Sequence, residues 1–330
     1  GKKYYFCSQG CLEKFKNSPS KYSRKYVYDL IIIGAGPAGL TAAVYASVLK
    51  IDTMLITKEI GGQVVDSTKI KNYMGFDFIT GKELTKKFEH QFLHEHYLEH
   101  KIDEVTKIRS TNETFEILTK ERNRYLTHSI IIATGMKRKK LGVPGEEHLQ
   151  RKGISYSLVQ DTSLFKGLNV AVIGGGNSGV QTANDLISLG CKVTVVAKGK
   201  LSADQSDIEK LKRSKKVNIQ ERHDVLGIKG KDKVEGIIIQ SKDKLTKKLI
   251  SCQGVFIQIG FIPNTEFCRD LVKLNEKREI IINPDCSTNV RGIFACGDVT
   301  NCFGKRIIIA SGEGAKAALS VNQYLLNKTR

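Results

Sequence analysis

The sequence predicts an α/β protein built from two three-layer units, and two local patterns and one global property predict it. The first pattern is an apolar strand over residues 29–33 that runs into Gly34-Ala-Gly36-Pro37-Ala38-Gly39. The second is a strand over residues 169–173 that runs into Gly174-Gly-Gly176-Asn177-Ser178-Gly179. Each repeats one device. Its first glycine permits a tight turn, its second lets the backbone approach a pyrophosphate, and its third lets helix pack on strand. The helix that follows offers free N–H groups and a positive dipole end to phosphates. Both units therefore read as Rossmann-like dinucleotide-binding domains. The global property is size: 330 residues, 40% hydrophobic with only five prolines, suffice for about two domains with real cores.

Several function classes drop out. No apolar run approaches the roughly 18 residues that a membrane helix needs, and no charged-then-apolar leader is visible. The net charge of +19, from 53 basic and 34 acidic residues, suits an acidic partner such as an electron-carrier protein. A lysine-rich composition is the alternative reading, since the lysines are spread along the chain. No nucleic-acid motif accompanies the charge. Eight cysteines (7, 11, 191, 252, 268, 286, 296 and 302) do not form a disulfide framework for a chain of this size, and a reducing cytoplasm is expected.

The chain opens on a short cysteine-bearing segment, residues 1–25. Cys7 and Cys11 stand one helical turn apart, a spacing that lets two thiolates share a metal, although two ligands do not complete a tetrahedral site. With Tyr4-Tyr-Phe before Cys7 and Phe15 after Cys11, the segment resembles the second half of a YHS domain, a small metal-associated module.

In the first unit a helix is expected to about residue 50, then a strand over 53–56. The acid that usually meets an adenosine ribose at that strand end is replaced by Thr57 and Lys58, with Glu59 the nearest carboxylate. Gly61-Gly62-Gln63 and Asn72-Tyr73 supply flexible turns and polar groups for the edge of a flavin ring. A helix is expected over 83–100, with Leu84, Phe88 and Phe92 on one stripe. Its pairs His90/His94 and His96/His100 point to opposite sides, so they read as solvated faces rather than a metal site. A strand over 129–132 ends in Ala133-Thr134-Gly135, and Pro144-Gly145 marks a domain crossing.

In the second unit a helix is expected over 178–189 and a strand over 192–196, followed by Ala197-Lys198-Gly199-Lys200. No acid is present for a ribose 2′-hydroxyl, whereas Lys198 can meet a 2′-phosphate, which leans to NADPH over NADH. Strands over 254–259 and 293–294 come next. The second of these leads into Cys296-Gly297-Asp298, which places a carboxylate to accept hydrogen bonds from ribityl or ribose hydroxyls. A final helix is expected over 313–326, its dipole directed at the negative charge of reduced flavin.

Taken in order, these motifs make residues 26–326 resemble the thioredoxin reductases and the flavoprotein subunit of alkyl hydroperoxide reductase. The resemblance implies FAD on the first unit, residues 26–143 and 263–330, and the nicotinamide cofactor on an inserted second unit, residues 144–262. The implied FAD contacts are Gly34, Gly36, Pro37, Ala38, Gly39, Gly61, Gly62, Gln63, Asn72, Ala133, Thr134, Gly135, Gly297, Asp298, Arg306 and Ile307. The implied NAD(P)H contacts are Gly174, Gly176, Asn177, Ser178, Gly179 and Lys198. A homodimer is implied as well.

The chain departs from that family at its chemistry. The family follows Gly-x-Ser-Tyr with Cys-x-x-Cys-Asp, whereas here Gly153-Ile-Ser155-Tyr156 is followed by Ser157-Leu-Val-Gln160-Asp161. A hydroxyl and an amide cannot exchange with a disulfide, because that chemistry needs thiolates. Asp161 still matches the family's proton donor. Gly304-Lys305-Arg306 replaces a Tyr-Arg/Lys-Gln run, placing Arg306 near the flavin's pyrimidine edge or simply in solvent.

The expected function is therefore an FAD oxidoreductase that takes hydride from NADPH or NADH. It would release electrons to a ferredoxin-like carrier, a quinone or oxygen. The alternatives are a disulfide reductase using displaced cysteines, Cys296 with Cys302 or Cys7 with Cys11, and a non-catalytic redox or metal sensor.

Overall fold

The computed structural model describes residues 9–17, 26–67, 69–95, 97–111, 114–156 and 162–328. The chain divides into two units, residues 1–136 with 263–330 and residues 137–262, so the second interrupts the first. The two crossings, β7 (Met136–Arg138) and β16 (Phe261–Pro263), pair as a two-stranded ribbon. A helix α1, Gln9–Asn17, precedes the first unit's sheet.

In the first unit β1 (Val27–Ala35) lies between β2 (Thr53–Ile60) and β6 (Arg124–Ile132), parallel to both. Beyond β2 stands β3 (Leu98–Ile102), also parallel. The first half of β6 pairs with the antiparallel ribbon of β4 (Val105–Ser110) and β5 (Phe115–Thr119). Its last residues pair with β17 (Ile293–Ala295), which is parallel. The unbroken Leu-Ile-Ile-Ile run of β1 follows from cover on both faces. Leu30 and Ile32 pack under α2 (Pro37–Val48) and the final helix. Ile31 and Ile33 pack against Val105, Ile117, Val272 and Ile280 on the other face.

The second unit repeats the plan. A parallel sheet runs β11 (Val217–Glu221), β10 (Lys192–Ala197), β9 (Asn169–Ile173), β15 (Gly254–Ile257), β8 (Ile154–Ser155). Val170, Val172 and Val195 face α4 (Asn177–Ser188) and α5 (Gln205–Arg213). Ala171, Ile173 and Val255 face the antiparallel sheet of β12 (His223–Lys229), β13 (Gly236–Ser241) and β14 (Lys247–Ser251). Both units are thus Rossmann-like, with three layers, as the two glycine turns imply.

Several elements differ from expectation, among them β6, which begins five residues before its expected start at 129. The helix expected over 83–100 is α3, Gly81–Leu93, opened by a capping box between Thr80 and Glu83 and closed at His94. The apolar stripe ends at Phe92, and residues 98–102 join the sheet edge, so His100 is not on that helix. His90 and His94 stack with ring centroids 4.4 Å apart, and His96 lies outside the described residues. The final helix, α6, spans Ile307–Lys328, beginning six residues before the expected start. Gly312 and Gly314 lie within its first two turns, and a Cβ at 314 would stand 2.1 Å from the Ala38 carbonyl oxygen. That glycine lets α6 approach α2. Strand β2 runs on to Ile60, four residues beyond its expected end.

Candidate functional site

The first glycine turn has three glycines in three different environments. Gly34 adopts φ +103°, and a Cβ there would lie 2.5 Å from the Ala133 carbonyl oxygen. A Cβ at Gly39 would lie 1.8 Å from the Gly34 carbonyl oxygen. Gly36 adopts an ordinary φ of −76°, yet a Cβ there meets nothing within 4 Å. The outer two glycines are fixed by backbone packing, and the middle one borders open space. Pro37 begins α2, and no side chain caps that helix N-terminus, so its first N–H groups are available to an anion.

Other segments of the first unit gather around this turn. The Gly61 N–H donates to the Ala35 carbonyl at 2.8 Å, and a Cβ at Gly62 would lie 3.3 Å from the Gly36 Cα. Gln63 Nε2 donates to the Met136 carbonyl at 2.7 Å. Asn264 clamps the loop Ala133-Thr134-Gly135. Its Nδ2 donates to the Thr134 carbonyl at 2.9 Å, its N–H donates to the Gly135 carbonyl at 3.0 Å, and its own carbonyl accepts from Thr134 Oγ1 at 2.8 Å. Gly297, at φ +76°, leaves 2.9 Å between a built Cβ and the Ala38 Cβ, so β17 ends against the start of α2.

Asp298 follows, half-buried, and no hydrogen bond among the described residues reaches its carboxylate. Burial pushes its pKa up, Lys305 and Arg306 pull it back down, and Glu313 adds to the rise. Glu313 itself is buried and accepts the Gly297 N–H at 2.8 Å. Arg306 is exposed at the head of α6, its Nη1 donating to the Lys305 carbonyl at 3.0 Å. Ile307, the first residue of α6, packs against the small buried cluster of Val64, Ile70, Ile79 and Leu84, as Tyr73 and Phe76 also do. Asn72 stands exposed beside Tyr73.

The second turn has the same geometry. Gly174 has φ +131°, with a Cβ 2.1 Å from the Gln258 carbonyl oxygen. A Cβ at Gly179 would stand 2.1 Å from the Gly174 carbonyl oxygen, whereas one at Gly176 has its nearest neighbour 4.0 Å away. No side chain caps α4. Asn177 is engaged within the fold, its Oδ1 accepting the Asp204 N–H at 2.8 Å, and Ser178 is exposed. Lys198 is exposed just past β10.

Residues 157–161, with Ser157, Gln160 and Asp161, lie outside the described residues, as do Cys7 and the side chain of Cys11. The approach to that segment is firmly held. The Tyr156 hydroxyl donates to Glu146 at 2.6 Å, and the Tyr156 carbonyl accepts from Gln258 Nε2 at 3.2 Å. Glu146, only 2% exposed, also accepts the Leu141 and Gly142 N–H groups at 3.0 and 2.7 Å.

The displaced-thiol arrangement gains little support. Cys296 is fully buried, and burial raises its thiol pKa well above the usual value. Burial, then a hydrogen bond with Glu313, pushes the half-buried Cys302 thiol up to about 11. Neither matches the lowered pKa of a reactive cysteine. Among the described residues no group of three or more His, Cys, Asp or Glu could hold a metal ion, and no helix is long and apolar enough to cross a membrane.

Residues 28–319 match the family described as "Pyridine nucleotide-disulphide oxidoreductase", and residues 1–26 match "YHS domain". The F subunit of alkyl hydroperoxide reductase in Staphylococcus epidermidis is 39% identical over 313 residues, covering 93% of this chain and 61% of that protein. The same protein of Staphylococcus aureus aligns at the same identity and coverage. The chain thus spans about three fifths of the length of these curated relatives, 61%. Among solved structures, Lactococcus lactis thioredoxin reductase is similar at TM-score 0.78 and 33% identity, covering 91% of this chain and 99% of that one. The thioredoxin reductase of T. acidophilum is similar at TM-score 0.74 and 35% identity, covering 90% and 98%.

Proposed function

The chain belongs to the pyridine nucleotide-disulphide oxidoreductase family, and on that premise we propose an FAD-dependent oxidoreductase of thioredoxin-reductase type that works without an active-site dithiol. It takes hydride from NAD(P)H and delivers electrons to an acceptor outside the Ser157–Gln160 positions. The observation that carries the reading is that Gly36 and Gly176 both border open space while Gly34, Gly39, Gly174 and Gly179 are packed on backbone. Two pyrophosphates can then lie against two uncapped helix starts in one chain.

Within the first unit, Asp298 is suited to accept a ribityl hydroxyl, since its carboxylate has no hydrogen-bond donor among the described residues. Glu313 holds the Gly297 N–H and so fixes the turn from which Asp298 projects. Asn264 and Gln63 hold the loop at 133–136 in place. The start of α6, with Arg306 beside it, gives positive potential for a negatively charged ring edge. Glu59, exposed at the end of β2, is the carboxylate placed to meet an adenosine ribose. When bound, FAD supplies hydride acceptance and onward electron release, and the chain supplies orientation and electrostatics.

Ser157 and Gln160 carry no thiol, so Asp161 has no thiolate there to protonate. The net charge of +19 favours an acidic ferredoxin-like carrier as the acceptor, with quinone and oxygen as the other candidates. A cytoplasmic homodimer is the assembly proposed with it. Anaerobic mixing of the flavin-loaded protein with NADPH or NADH tests the reading. Rapid loss of the yellow flavin band is expected with at least one of them. Failure of both to bleach it would remove hydride transfer from the account.

A further inference from the structure

We propose that the second unit carries a site for a small phosphate monoester with a hydroxylated body, such as a sugar phosphate. Lys192, Lys215 and Lys216 converge there on one cavity at the amino ends of β10 and β11. The Gly174–Gly179 turn follows the carboxyl end of β9, so the cavity lies at the opposite end of the sheet and shares no residue with that turn. Open α/β sheets take their nucleotides at the carboxyl ends of the strands. A bound dinucleotide therefore does not account for this cavity.

The strands themselves build it. Side chains alternate between the two faces of a strand. Val170 of β9, Val193 and Val195 of β10, and Val217 and Ile219 of β11 pack on the side of the helices. Asn169, Lys192, Thr194 and Asn218 therefore share the other face. The register sets Lys192 beside Asn169 and Thr194 beside Asn218. On that face the antiparallel sheet covers Ala171, Ile173 and Val255, whereas Asn169, Lys192 and Asn218 are exposed. Lys215 and Lys216, in the turn between α5 and β11, complete the lining, and the Lys216 carbonyl accepts the Val193 N–H at 2.9 Å.

Basic residues at a helix end commonly answer its negative dipole, as Lys210, Lys212 and Arg213 do in the last turn of α5. Lys192 lies on the sheet face turned away from the helices, so that explanation does not reach it. No carboxylate lines the cavity, and none of the three lysines has an ion pair among the described residues. Like charges on neighbouring strands repel, so the cluster costs the empty fold stability that a bound dianion restores. An ammonium is a compact point charge suited to phosphate. The cavity holds about 260 Å³, less than the ~300–1,000 Å³ of sites for drug-sized ligands, which suits a phosphate with a small body. The neutral lining sets the character of that body. The Asn169 amide and the Thr194 hydroxyl have no hydrogen-bond partner among the described residues. Asn218 Oδ1 accepts from Gln220 Nε2 at 2.8 Å, which leaves Asn218 Nδ2 to donate. These groups match the hydroxyls of a sugar.

Calorimetric titration of the flavin-loaded full chain with ribose 5-phosphate, inorganic phosphate and ribose tests the site. Ribose 5-phosphate is expected to bind about tenfold more tightly than inorganic phosphate, and ribose not to bind. Saturating NADP+ should leave that binding unchanged. A Lys192→Ala/Lys216→Ala protein should lose at least about tenfold in affinity for ribose 5-phosphate. Both lysines are exposed and unpaired, so the fold is not at stake. Lys107→Ala/Lys273→Ala removes the same net charge from exposed positions that do not line the cavity, and it should leave the affinity unchanged. No binding of ribose 5-phosphate, or its displacement by NADP+, would overturn the site. An equal loss in both double variants would reduce the binding to net-charge attraction and overturn it as well. Equal affinity for inorganic phosphate would overturn the hydroxylated body.

Discussion

Gly36→Val is expected to leave the apoprotein folded and to cost at least about 100-fold in FAD affinity, or roughly 2.8 kcal/mol at 1.4 kcal/mol per tenfold. Gly36 has φ −76°, which any L-residue adopts, and a Cβ there meets nothing within 4 Å. Such a change should cost the apoprotein no more than about 1 kcal/mol, the loss of a favoured glycine at the N-cap of α2, because the added Cβ displaces nothing. The added methyls occupy the space through which a pyrophosphate must reach the backbone.

Gly39→Val should have the opposite profile. Its Cβ would stand 1.8 Å from the Gly34 carbonyl oxygen, a backbone atom that cannot retreat without dragging β1. The cost should exceed the ~1–3 kcal/mol of ordinary overpacking and lower the apoprotein's thermal midpoint or abolish folding. Thermal melts of both apoproteins, with flavin retention after desalting, separate the two effects. A Gly36→Val protein that melts early, or that keeps its flavin, would contradict the assignment of open space to the ligand.

Asp298→Asn should weaken flavin binding and strengthen the apoprotein. The carboxylate is half-buried with no hydrogen-bond donor among the described residues, so its charge is exposed to a desolvation cost that nearby Lys305 and Arg306 only partly offset. The sign follows from linkage. A folded pKa raised above the unfolded value of about 3.9 means that the folded state binds more protons. Stability therefore falls as pH rises from that value through the raised folded pKa, and the loss persists above it. The amide has no charge to desolvate, so the variant apoprotein should lack that fall and be the more stable of the two at pH 7. Loss of a charged acceptor for a ribityl hydroxyl should lower FAD affinity about 10- to 100-fold, on the scale of ~1.5–3 kcal/mol for such hydrogen bonds. Urea unfolding of both apoproteins at pH 4 and pH 7, with flavin titration, gives both signs. A less stable variant that binds flavin normally would show that Asp298 serves the fold rather than the cofactor.

Local patterns make the two units legible. The β-branched runs of β1 and β9 and the spacing of the glycines are properties of contiguous residues, so Gly34, Gly36 and Gly39 can be assigned different tasks from the sequence alone. What escapes are groups whose partners are remote in the chain. Asn264 meets Thr134 across 130 residues, and nothing in the sequence beside it signals that clamp. Glu313, the expected first residue of the final helix, lies well inside α6 and accepts the Gly297 N–H from a remote turn. Glu146 binds two backbone N–H groups and the Tyr156 hydroxyl, a buried role that a Glu-Glu pair after Pro144-Gly145 does not announce. The end of α3 is hidden for a related reason. The residues of β3 are partly exposed at a sheet edge and carry no alternating pattern, so they read as a continuation of the helix.

The proposed electron path has no dithiol between the flavin and its acceptor, and an electron count checks it. In an anaerobic reductive titration of the flavin-loaded protein, full reduction is expected after two electrons per flavin, with no further uptake. Uptake of four would place a reducible disulfide on the electron path and contradict the account.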